Sequence, residues 1–313
     1  MKRRDFVSKV VAAGVGAAVT TSATSQDTPT GQLARRKYGK DGPDISIIGF
    51  GAIVVSDIEQ SEANDHVAWA VDRGVNYFDV APTYGNAQER LGPALKPYRD
   101  SAFLACKTTK RDADGAQAEL DESFRLLQTD HFDLYQLHGV TSDQDVDQIL
   151  APGGALETFV KARDKGQVTH IGFSAHSESA AIRLLDAFDF ESVLFPLNCV
   201  CMENGNFGPA VVQKAIDKGA SLLALKALAW TPWPDGAERT HPKCWYQPIT
   251  DRERARLALD YTLSLPITAA VTPGDPRMLR MAVELAMTHE PIAPDARTAI
   301  TQELNGVTPI FTA

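Results

Sequence analysis

Short apolar runs alternate along the chain with longer stretches in which apolar residues recur at helical spacing. The short runs fall at residues 45–50, 76–80, 103–107, 134–138, 170–174, 193–197, 222–228 and 267–271. Helical spacing is found at residues 63–73, 117–127, 156–165, 179–187, 209–218, 252–263 and 278–287. Strand-like runs separated by helices are typical of a closed parallel barrel or a doubly wound sheet. No Gly-x-Gly-x-x-Gly motif follows a run, and the regular spacing favours an α/β fold of the (β/α)8, or TIM, barrel type.

Several predicted helices end at a glycine that follows a basic residue, as in Arg73-Gly74, Lys165-Gly166 and Lys218-Gly219. Glycine readily takes the left-handed conformation that closes a helix before the next strand. No proline- or serine-rich linker interrupts the chain after its first segment. We therefore predict a single barrel domain over residues 26–313.

The first 25 residues have the pattern of an export signal. A charged start, which includes Arg3 and Arg4 before Phe6, precedes an apolar run at 10–19 and small residues up to Ser25. This pattern fits a secretory signal peptide, and the paired arginines resemble a twin-arginine signal read by that export machinery. The run is shorter than the ~20 apolar residues of a membrane span, so no stable insertion is expected. We predict a periplasmic or extracellular protein; the alternative is a basic, unstructured tail.

The charge of the chain argues against a polyanionic partner. The whole chain carries a formal net charge of −9, and the leader alone contributes +3, which leaves −12 for the remainder. An acidic protein of this kind is not expected to bind nucleic acid or anionic membrane surfaces. The four cysteines, at 106, 199, 201 and 244, show no disulfide spacing. Separate thiols are favoured over a metal site or a bridge from Cys199 or Cys201 to Cys244.

Four residues with acid–base chemistry lie where strand-like runs end: Asp79, Tyr84, Lys107 and His138. Successive strands of a barrel are neighbours and their carboxyl ends share one mouth, so these side chains can converge. A tyrosine beside a lysine, an aspartate and a histidine can donate protons, and a phenol with an ordinary pKa of about 10 needs a nearby ammonium to become more acidic. We expect Lys107 to lower the pKa of Tyr84, Asp79 to neutralise Lys107, and His138 to orient the oxygen that receives the proton. Each residue alone has an ordinary structural explanation.

At these positions the chain resembles the aldo-keto reductase superfamily. The resemblance spans about residues 34–290 and is most specific in Phe78-Asp79-Val80-Ala81-Pro82-Thr83-Tyr84-Gly85 with Glu89-Arg90-Leu91-Gly92. The segment Arg36-Lys37-Tyr38-Gly39 is similar to a short N-terminal β-hairpin of that family. The resemblance implies a nicotinamide-dependent enzyme that interconverts a carbonyl and an alcohol, with Asp79, Tyr84, Lys107 and His138 as its catalytic group. It also implies a cofactor held without a Rossmann fold.

The residues that hold the nicotinamide in that family match less well. Ser174 is present, but Ala175 replaces an asparagine, and Leu194 and Leu197, followed by Asn198, stand where a glutamine and a tyrosine are expected. Leu225 replaces a stacking tyrosine, and His176 and Lys226 are candidate substitutes as polar contacts. From the resemblance we assign Ser174, Asn198 and Lys226 to the cofactor. No metal ligand is assigned.

The phosphate end of the expected cofactor site is also altered. Gly274 lies in a Pro-Gly turn like that of the family, followed by Arg277 and Arg280 near a predicted helix start that can hold phosphate. Asp275 would repel a phosphate, and a solvated helix face is the alternative for both arginines. On family grounds we expect NADP(H), with NAD(H) as the alternative.

Two long predicted loops, 139–154 and 229–250, are expected to select a small-molecule carbonyl or alcohol substrate. The second carries Trp230, Trp233, Trp245 and Tyr246, which can stack on a sugar or pack the loop onto the barrel. Sugars are placed first among the substrates. The alternative function is a non-catalytic nucleotide-binding barrel that serves as a sensor or partner subunit, because several nicotinamide contacts are replaced.

Overall fold

A computed structural model describes residues 31–292 and 300–313. Eight parallel strands close into a barrel in chain order, and the last strand pairs with the first. These strands are β3 (Ile48–Gly51), β4 (Tyr77–Asp79), β5 (Phe103–Thr108), β6 (Phe132–Val140), β7 (Val168–Ala175), β8 (Ser192–Pro196), β9 (Ser221–Leu225) and β12 (Ala269–Val271). The (β/α)8 barrel predicted from the alternation of apolar runs is thereby confirmed. The predicted leader at residues 1–25 lies outside the described residues.

Helices alternate with these strands and cover the outside of the barrel. They span Gln60–Val71, Ala87–Leu95, Ala113–Leu127, Asp143–Leu150, Ala155–Asp164, Glu178–Ala187, Cys199–Glu203, Pro209–Lys218, Arg252–Leu263 and Pro276–Ala286. Short 3-10 helices lie at Ala52–Val55 and Lys96–Ser101. Within the described part of the chain, no helix is both long and apolar enough to cross a membrane.

The predicted N-terminal hairpin is also confirmed. Strand β1 (Arg35–Lys37) pairs antiparallel with β2 (Asp44–Ser46), and Arg36 lies opposite Ile45. The apolar run at 45–50 is therefore divided between the hairpin and the barrel. Behind the hairpin turn, the buried Tyr38 ring packs 4.9 Å from that of Phe103 and covers the amino-terminal end of the barrel.

The interior of the barrel is filled by side chains rather than by solvent. A compact cluster inside the strands includes Tyr77, Phe103, Leu134, Leu194 and Leu223. A larger cluster joins the outer faces of the strands to the helices. Because the amino-terminal end is closed by the hairpin and the middle is packed, open space remains at the carboxyl ends of the strands.

Some local structure differs from the sequence prediction. The predicted loop at 139–154 contains the helix Asp143–Leu150, which Ser142 begins with a capping box formed with Asp145. A Ser-x-x-Asp pattern is a recognised start signal, so this helix was detectable in the sequence. A second hairpin, β10 (Ala229–Pro232) with β11 (Tyr246–Pro248), structures the ends of the predicted loop at 229–250.

Candidate active site

The carboxyl ends of three neighbouring strands bring the four predicted acid–base residues to one cavity. Asp79 ends β4, Lys107 lies near the end of β5, and His138 lies near the end of β6, while Tyr84 is in the turn after β4. All four line a cavity of about 380 Å³ at the barrel mouth. The convergence expected from their sequence positions is therefore present. Their catalytic roles remain predictions.

Lys107 and Asp79 form a buried ion pair at the base of this cavity. Lys107 is 0 % exposed and Asp79 1 % exposed. The ammonium donates to the Asp79 carboxylate and, at 3.2 Å, to the Val80 carbonyl. Tyr77 and Gln136 donate to the other carboxylate oxygen, each at 3.3 Å. Burial lowers the pKa of Lys107, but the charge of Asp79 and its hydrogen bond raise it overall above its ordinary value, so the ammonium stays charged.

Tyr84 stands next to this ammonium, with Lys107 Nζ 5.2 Å from the centre of the tyrosine ring. Burial raises the pKa of the Tyr84 hydroxyl, and Lys107 lowers it by its charge and a hydrogen bond, yet the net change is upward. The expectation that Lys107 would bring the pKa of Tyr84 down toward neutral pH is corrected here. Desolvation outweighs the ammonium, because the charge of Lys107 is already paired with Asp79. Tyr84 is therefore a protonated phenol at neutral pH.

His138 is a neutral imidazole beside the tyrosine. Its ring meets the Tyr84 ring edge-on, with centroids 5.7 Å apart, and its Nδ1 lies 3.4 Å from Thr83 Oγ1. Burial lowers the pKa of His138 to about 3, with smaller contributions from Lys107 and other cations. Arg111 holds the backbone of His138 in place by donating a hydrogen bond to its carbonyl at 2.9 Å. A neutral histidine can donate one hydrogen bond while accepting another.

Of the residues assigned to the cofactor, Ser174, Lys226 and Gly274 line the cavity. The Ser174 hydroxyl accepts a hydrogen bond from the Gly139 N–H at 2.8 Å. Leu194 and Leu225, aligned with lost nicotinamide contacts, are part of the same wall. Two of the substitutions noted in the sequence therefore face the cavity, whereas Ala175 and Leu197 are not among its lining residues.

The other three assigned residues are not brought to the cavity lining. Asn198 is fully buried and caps the helix Cys199–Glu203 by accepting from the Cys201 N–H at 2.9 Å. The Arg277 side chain is 61 % exposed and pairs with Asp275 at 2.7 Å. The Arg280 guanidinium lies 4.7 Å from the centre of the Trp69 ring. Each of these side chains is therefore engaged elsewhere: Asn198 in a helix cap, Arg277 in an ion pair and Arg280 in a cation–π contact.

Sequence reasoning missed several cavity residues. Lys243 lines the cavity and donates to the carbonyls of Val54 and Ser56 at 2.9 and 2.6 Å, which fastens the segment between β10 and β11 to the opposite rim. No local pattern marks Lys243, because its partners are far away in the chain. Trp245 and Tyr246 of the predicted substrate loop do line the cavity. The loop at 139–154 supplies none of the lining residues that the structure describes.

The cysteines and possible metal ligands add nothing to this site. All four cysteines are buried and unpaired, and Cys199 and Cys201 lie on a short helix rather than on a strand. Across residues 31–292 and 300–313, no group of three or more histidine, cysteine, aspartate or glutamate side chains is placed to hold a metal ion.

Comparison with known proteins agrees with this geometry. The model of the Aldo/keto reductase family matches residues 47–226, more than half of the chain and all of β3 to β9. This chain belongs to the aldo/keto reductase family. The match begins just before the first barrel strand and ends at Lys226, so it includes the four acid–base residues.

Individual members of the family are distant relatives. The chain is 29% identical over 157 residues to the "Uncharacterized oxidoreductase YqkF" of Bacillus subtilis, covering 46% of this chain and 49% of that protein. It is 27% identical over 158 residues to an L-galactose dehydrogenase of Arabidopsis thaliana, with 46% and 49% covered. It is 26% identical over 229 residues to a 6-dehydroglucose reductase of Novosphingobium aromaticivorans, with 65% and 70% covered. The chain spans about half the length of the first curated relatives that it matches.

Solved structures share the fold. The holo form of aldo-keto reductase AKR11C1 from Bacillus halodurans superposes with a TM-score of 0.69 at 21% identity, covering 90% of this chain and 98% of that one. At this identity the likeness describes the barrel and not the chemistry at its mouth.

Proposed function

We propose that this protein is a nicotinamide-dependent oxidoreductase that interconverts a carbonyl and an alcohol, with Tyr84 as the acid–base residue. One observation supports this most: a phenol, a paired ammonium and a neutral imidazole line the same cavity at the barrel mouth. In the reductive direction, Tyr84 donates its proton to the carbonyl oxygen, and Lys107 stabilises the phenolate left behind. His138 donates a second hydrogen bond to that oxygen while Thr83 holds its other ring nitrogen.

The cavity fits the charge of a nicotinamide dinucleotide. Lys107, Lys226 and Lys243 line it against a single carboxylate, that of Asp79, and the dinucleotide carries an anionic diphosphate. Ser174, Lys226 and Gly274 are the residues we assign to hold it, and when bound it supplies the hydride. NADP(H) is preferred on family grounds over NAD(H).

Sugars are the proposed substrate class. Trp245 and Tyr246 face the cavity and offer flat apolar surfaces beside the polar acid–base group. Two relatives, the L-galactose dehydrogenase and the 6-dehydroglucose reductase, carry sugar substrates in their names.

The experiment that tests this function is the substitution Tyr84→Phe. It removes the proton donor and leaves the ring, so we expect intrinsic fluorescence titrations with NADPH and NADH to be unchanged while turnover falls by about 10²-fold or more. Turnover equal to that of the unaltered protein would exclude Tyr84 as the acid.

The second candidate function is a non-catalytic nucleotide-binding barrel. Leu194 and Leu225 on the cavity wall favour it, because neither can hydrogen-bond or stack on a nicotinamide as the family's residues do. Nucleotide binding in the fluorescence titration, without turnover of any sugar, aldehyde or ketone tested, would support this reading over the first.

We also propose that the protein is exported through the twin-arginine machinery. The support is the sequence of residues 1–25 alone. Replacing Arg3 and Arg4 with lysine keeps the charge and should retain the protein in the cytoplasm, measured by cell fractionation. Unchanged export of this variant contradicts the proposal.

A further inference from the structure

Lys226 is a buried cation at the edge of the cavity. It directly follows β9, is 9 % exposed, and lines the cavity with Tyr84 and His138. Its backbone φ is +64°, in the left-handed region that a side chain with a Cβ enters at a cost. Such strain persists where the surroundings impose it, and it is frequent at functional sites.

Among residues 31–292 and 300–313, the side chain of Lys226 has one polar partner, and this partner is uncharged. Its Nζ lies 3.0 Å from Nε2 of His176, which projects from the loop after β7. The rings of Trp245 and Phe311 lie 5.7 and 5.6 Å from the same nitrogen. No carboxylate of the described chain forms an ion pair with it, and none of the charges that act on its pKa is a carboxylate.

The other two lysines of the cavity are already satisfied. Lys107 is paired with Asp79, and Lys243 donates to two backbone carbonyls. A buried ammonium without a counter-charge is costly unless something pairs with it. An ammonium carries three donors, so a bond to His176 leaves two that can be directed at oxygens in the cavity.

The charges that line the cavity also favour an anionic ligand. The chain as a whole has a net charge of −9, yet the cavity is lined by three lysines and one aspartate. The basic character of the cavity is therefore opposite to that of the molecule. A ligand that brings its own negative charge supplies what Lys226 lacks.

We propose that Lys226, positioned by His176, binds an anionic group, a carboxylate or a phosphate, on the molecule that occupies the cavity. The inference rests on the proposed function for what that molecule is, either the dinucleotide with its diphosphate or a substrate that is a sugar acid. The nicotinamide end need not be involved, and no chemical step is assigned to Lys226.

The test compares equilibrium binding, by tryptophan fluorescence, in the unaltered protein, Lys226→Met and Lys226→Arg. The ligands are D-glucuronate with D-glucose as its uncharged counterpart, and NADPH and NADH. Lys161→Met, which removes an exposed lysine paired with Glu157 on an outer helix, is the matched control. Because charge-assisted hydrogen bonds are strong, we expect Lys226→Met to weaken binding of at least one anionic ligand by about tenfold or more.

The pattern of losses identifies the source of the anion. Weaker glucuronate binding with unchanged NADPH and NADH binding assigns the site to an acidic substrate, and the reverse assigns it to the dinucleotide. In both cases glucose binding stays unchanged and Lys226→Arg retains most of the affinity. Equal losses for glucose and glucuronate, no change for any anionic ligand, or no anionic ligand bound by the unaltered protein would each overturn the proposal.

A second measurement needs no variant. Burial lowers the pKa of Lys226 to about 7, and an anion bound beside the ammonium must raise that pKa. Nitrogen NMR of the Lys226 amine, titrated with and without glucuronate or NADPH, measures this change directly. A pKa that is unmoved by saturating anion contradicts the proposal even where Lys226→Met does not fold.

Titration of the other groups around Lys226 does not account for a change in the pKa of Lys226 on anion binding. Those that face it or share the cavity are Asp79, Tyr84, Lys107, His138, His176, Cys201, Lys243 and Tyr246. Asp79 is ion-paired with Lys107, and burial raises the pKa of Tyr84. Both histidine pKa values are lowered far below neutral, and those of Lys107, Cys201 and Tyr246 are raised. Lys243, whose pKa is lowered, donates to the carbonyls of Val54 and Ser56 on the opposite rim. Anion binding without turnover would refute the proposed function and leave this inference intact.

Discussion

At the scale of single residues, the site depends on how two buried charges satisfy each other. Lys107 and Asp79 are each at most 1 % exposed. The Asp79 carboxylate accepts hydrogen bonds from Lys107, Tyr77 and Gln136, and Lys107 donates a further one to the Val80 carbonyl. A buried pair of this kind contributes little net stability, but removal of one partner leaves the other charge uncompensated. Asp79 therefore holds Lys107 in the charged form that a tyrosine acid requires.

Asp79→Asn should lower the free energy of unfolding by about 3 kcal/mol or more, because Lys107 is left buried without its counter-charge. Chemical denaturation measures the change. The matched control is Asp186→Asn, which removes a carboxylate paired with Lys214 at 2.7 Å on the surface and should have a much smaller effect. Adding Lys107→Met to Asp79→Asn should restore part of the lost stability; a further loss equal to that of the single change would contradict the account.

The pH dependence of turnover follows from the raised pKa of Tyr84. In the proposed mechanism reduction uses the protonated phenol, which persists up to and above an ordinary pKa of about 10, so its rate should be level from about pH 6 to about pH 9. Oxidation uses the phenolate, whose small fraction grows with pH, so its rate should rise across the same range. Steady-state rates with an uncharged carbonyl and its alcohol measure both. Cofactor is kept saturating, because Lys226, which we assign to the cofactor, has a pKa that burial lowers to about 7. A reductive rate that still declines through neutral pH would show that Lys107 outweighs burial.

Sequence reasoning predicted which four side chains converge at the barrel mouth, but not their energetics; their catalytic roles stay a prediction. Asp79, Tyr84, Lys107 and His138 were recognisable because each lies at a fixed place relative to an apolar run. The net pKa of Tyr84 depends on burial, which a sequence pattern does not give. The contact between Lys226 and His176 could not be predicted from the sequence either. The two residues are 50 positions apart, and they meet only because two strands end close together.

At the scale of elements, the C-terminal segment packs against two residues of the cavity lining, His176 and Lys226. Asn204 donates to the carbonyls of Leu304 and Val307 at 2.7 and 2.8 Å, and the Ala313 N–H donates to Gly205 at 3.0 Å. A Cβ at Gly205 would lie 2.4 Å from the Phe311 carbonyl oxygen, so this approach requires glycine. The segment places the Phe311 ring against His176, with centroids 5.3 Å apart.

Phe311→Ala should raise the pKa of Lys226 toward the ordinary lysine value. Burial is the main cause of its low pKa, and the Phe311 ring, 5.6 Å from Nζ, helps to keep water from the ammonium. Nitrogen NMR of the lysine amines against pH measures the shift. Phe188→Ala removes a ring that packs on Phe190 away from the cavity and should leave the pKa of Lys226 unchanged. A lower pKa in Phe311→Ala would mean that the ring stabilises the cation by a cation–π contact instead.

Element prediction succeeded where the pattern was long and failed where it was short. The helices Pro209–Lys218 and Arg252–Leu263 have the predicted bounds, because each shows several turns of apolar spacing. The helix Ala87–Leu95 was missed, since it is short and contains Pro93. The apolar run at 45–50 hides a boundary between hairpin and barrel, because both sides of it are buried. Periodicity reports burial, and it does not show which partner provides it.

At the scale of the whole molecule, an acidic exterior surrounds a basic cavity. The net charge of −9 follows from the sequence. The sign of the charge in the cavity does not, since it depends on which three lysines of the chain come together at the barrel mouth. The charges of the exterior and the charges of the cavity act over different distances. Exposed charges act through solvent and are screened beyond about 10 Å at 0.1 M salt, whereas buried charges are screened much less.

This separation makes a prediction about the rate at which an anionic ligand enters. At low salt the net negative charge repels NADPH before the cavity lysines can attract it, so raising ionic strength from about 0.01 to about 0.2 M should increase the association rate constant. The dissociation rate constant should change less, because in the complex the anion contacts side chains that are buried from solvent, Lys107 and Lys226. Stopped-flow fluorescence with NADPH measures both constants, with D-glucose as the uncharged reference. Association that slows with salt would show that the field of the cavity extends past the acidic exterior and governs the encounter.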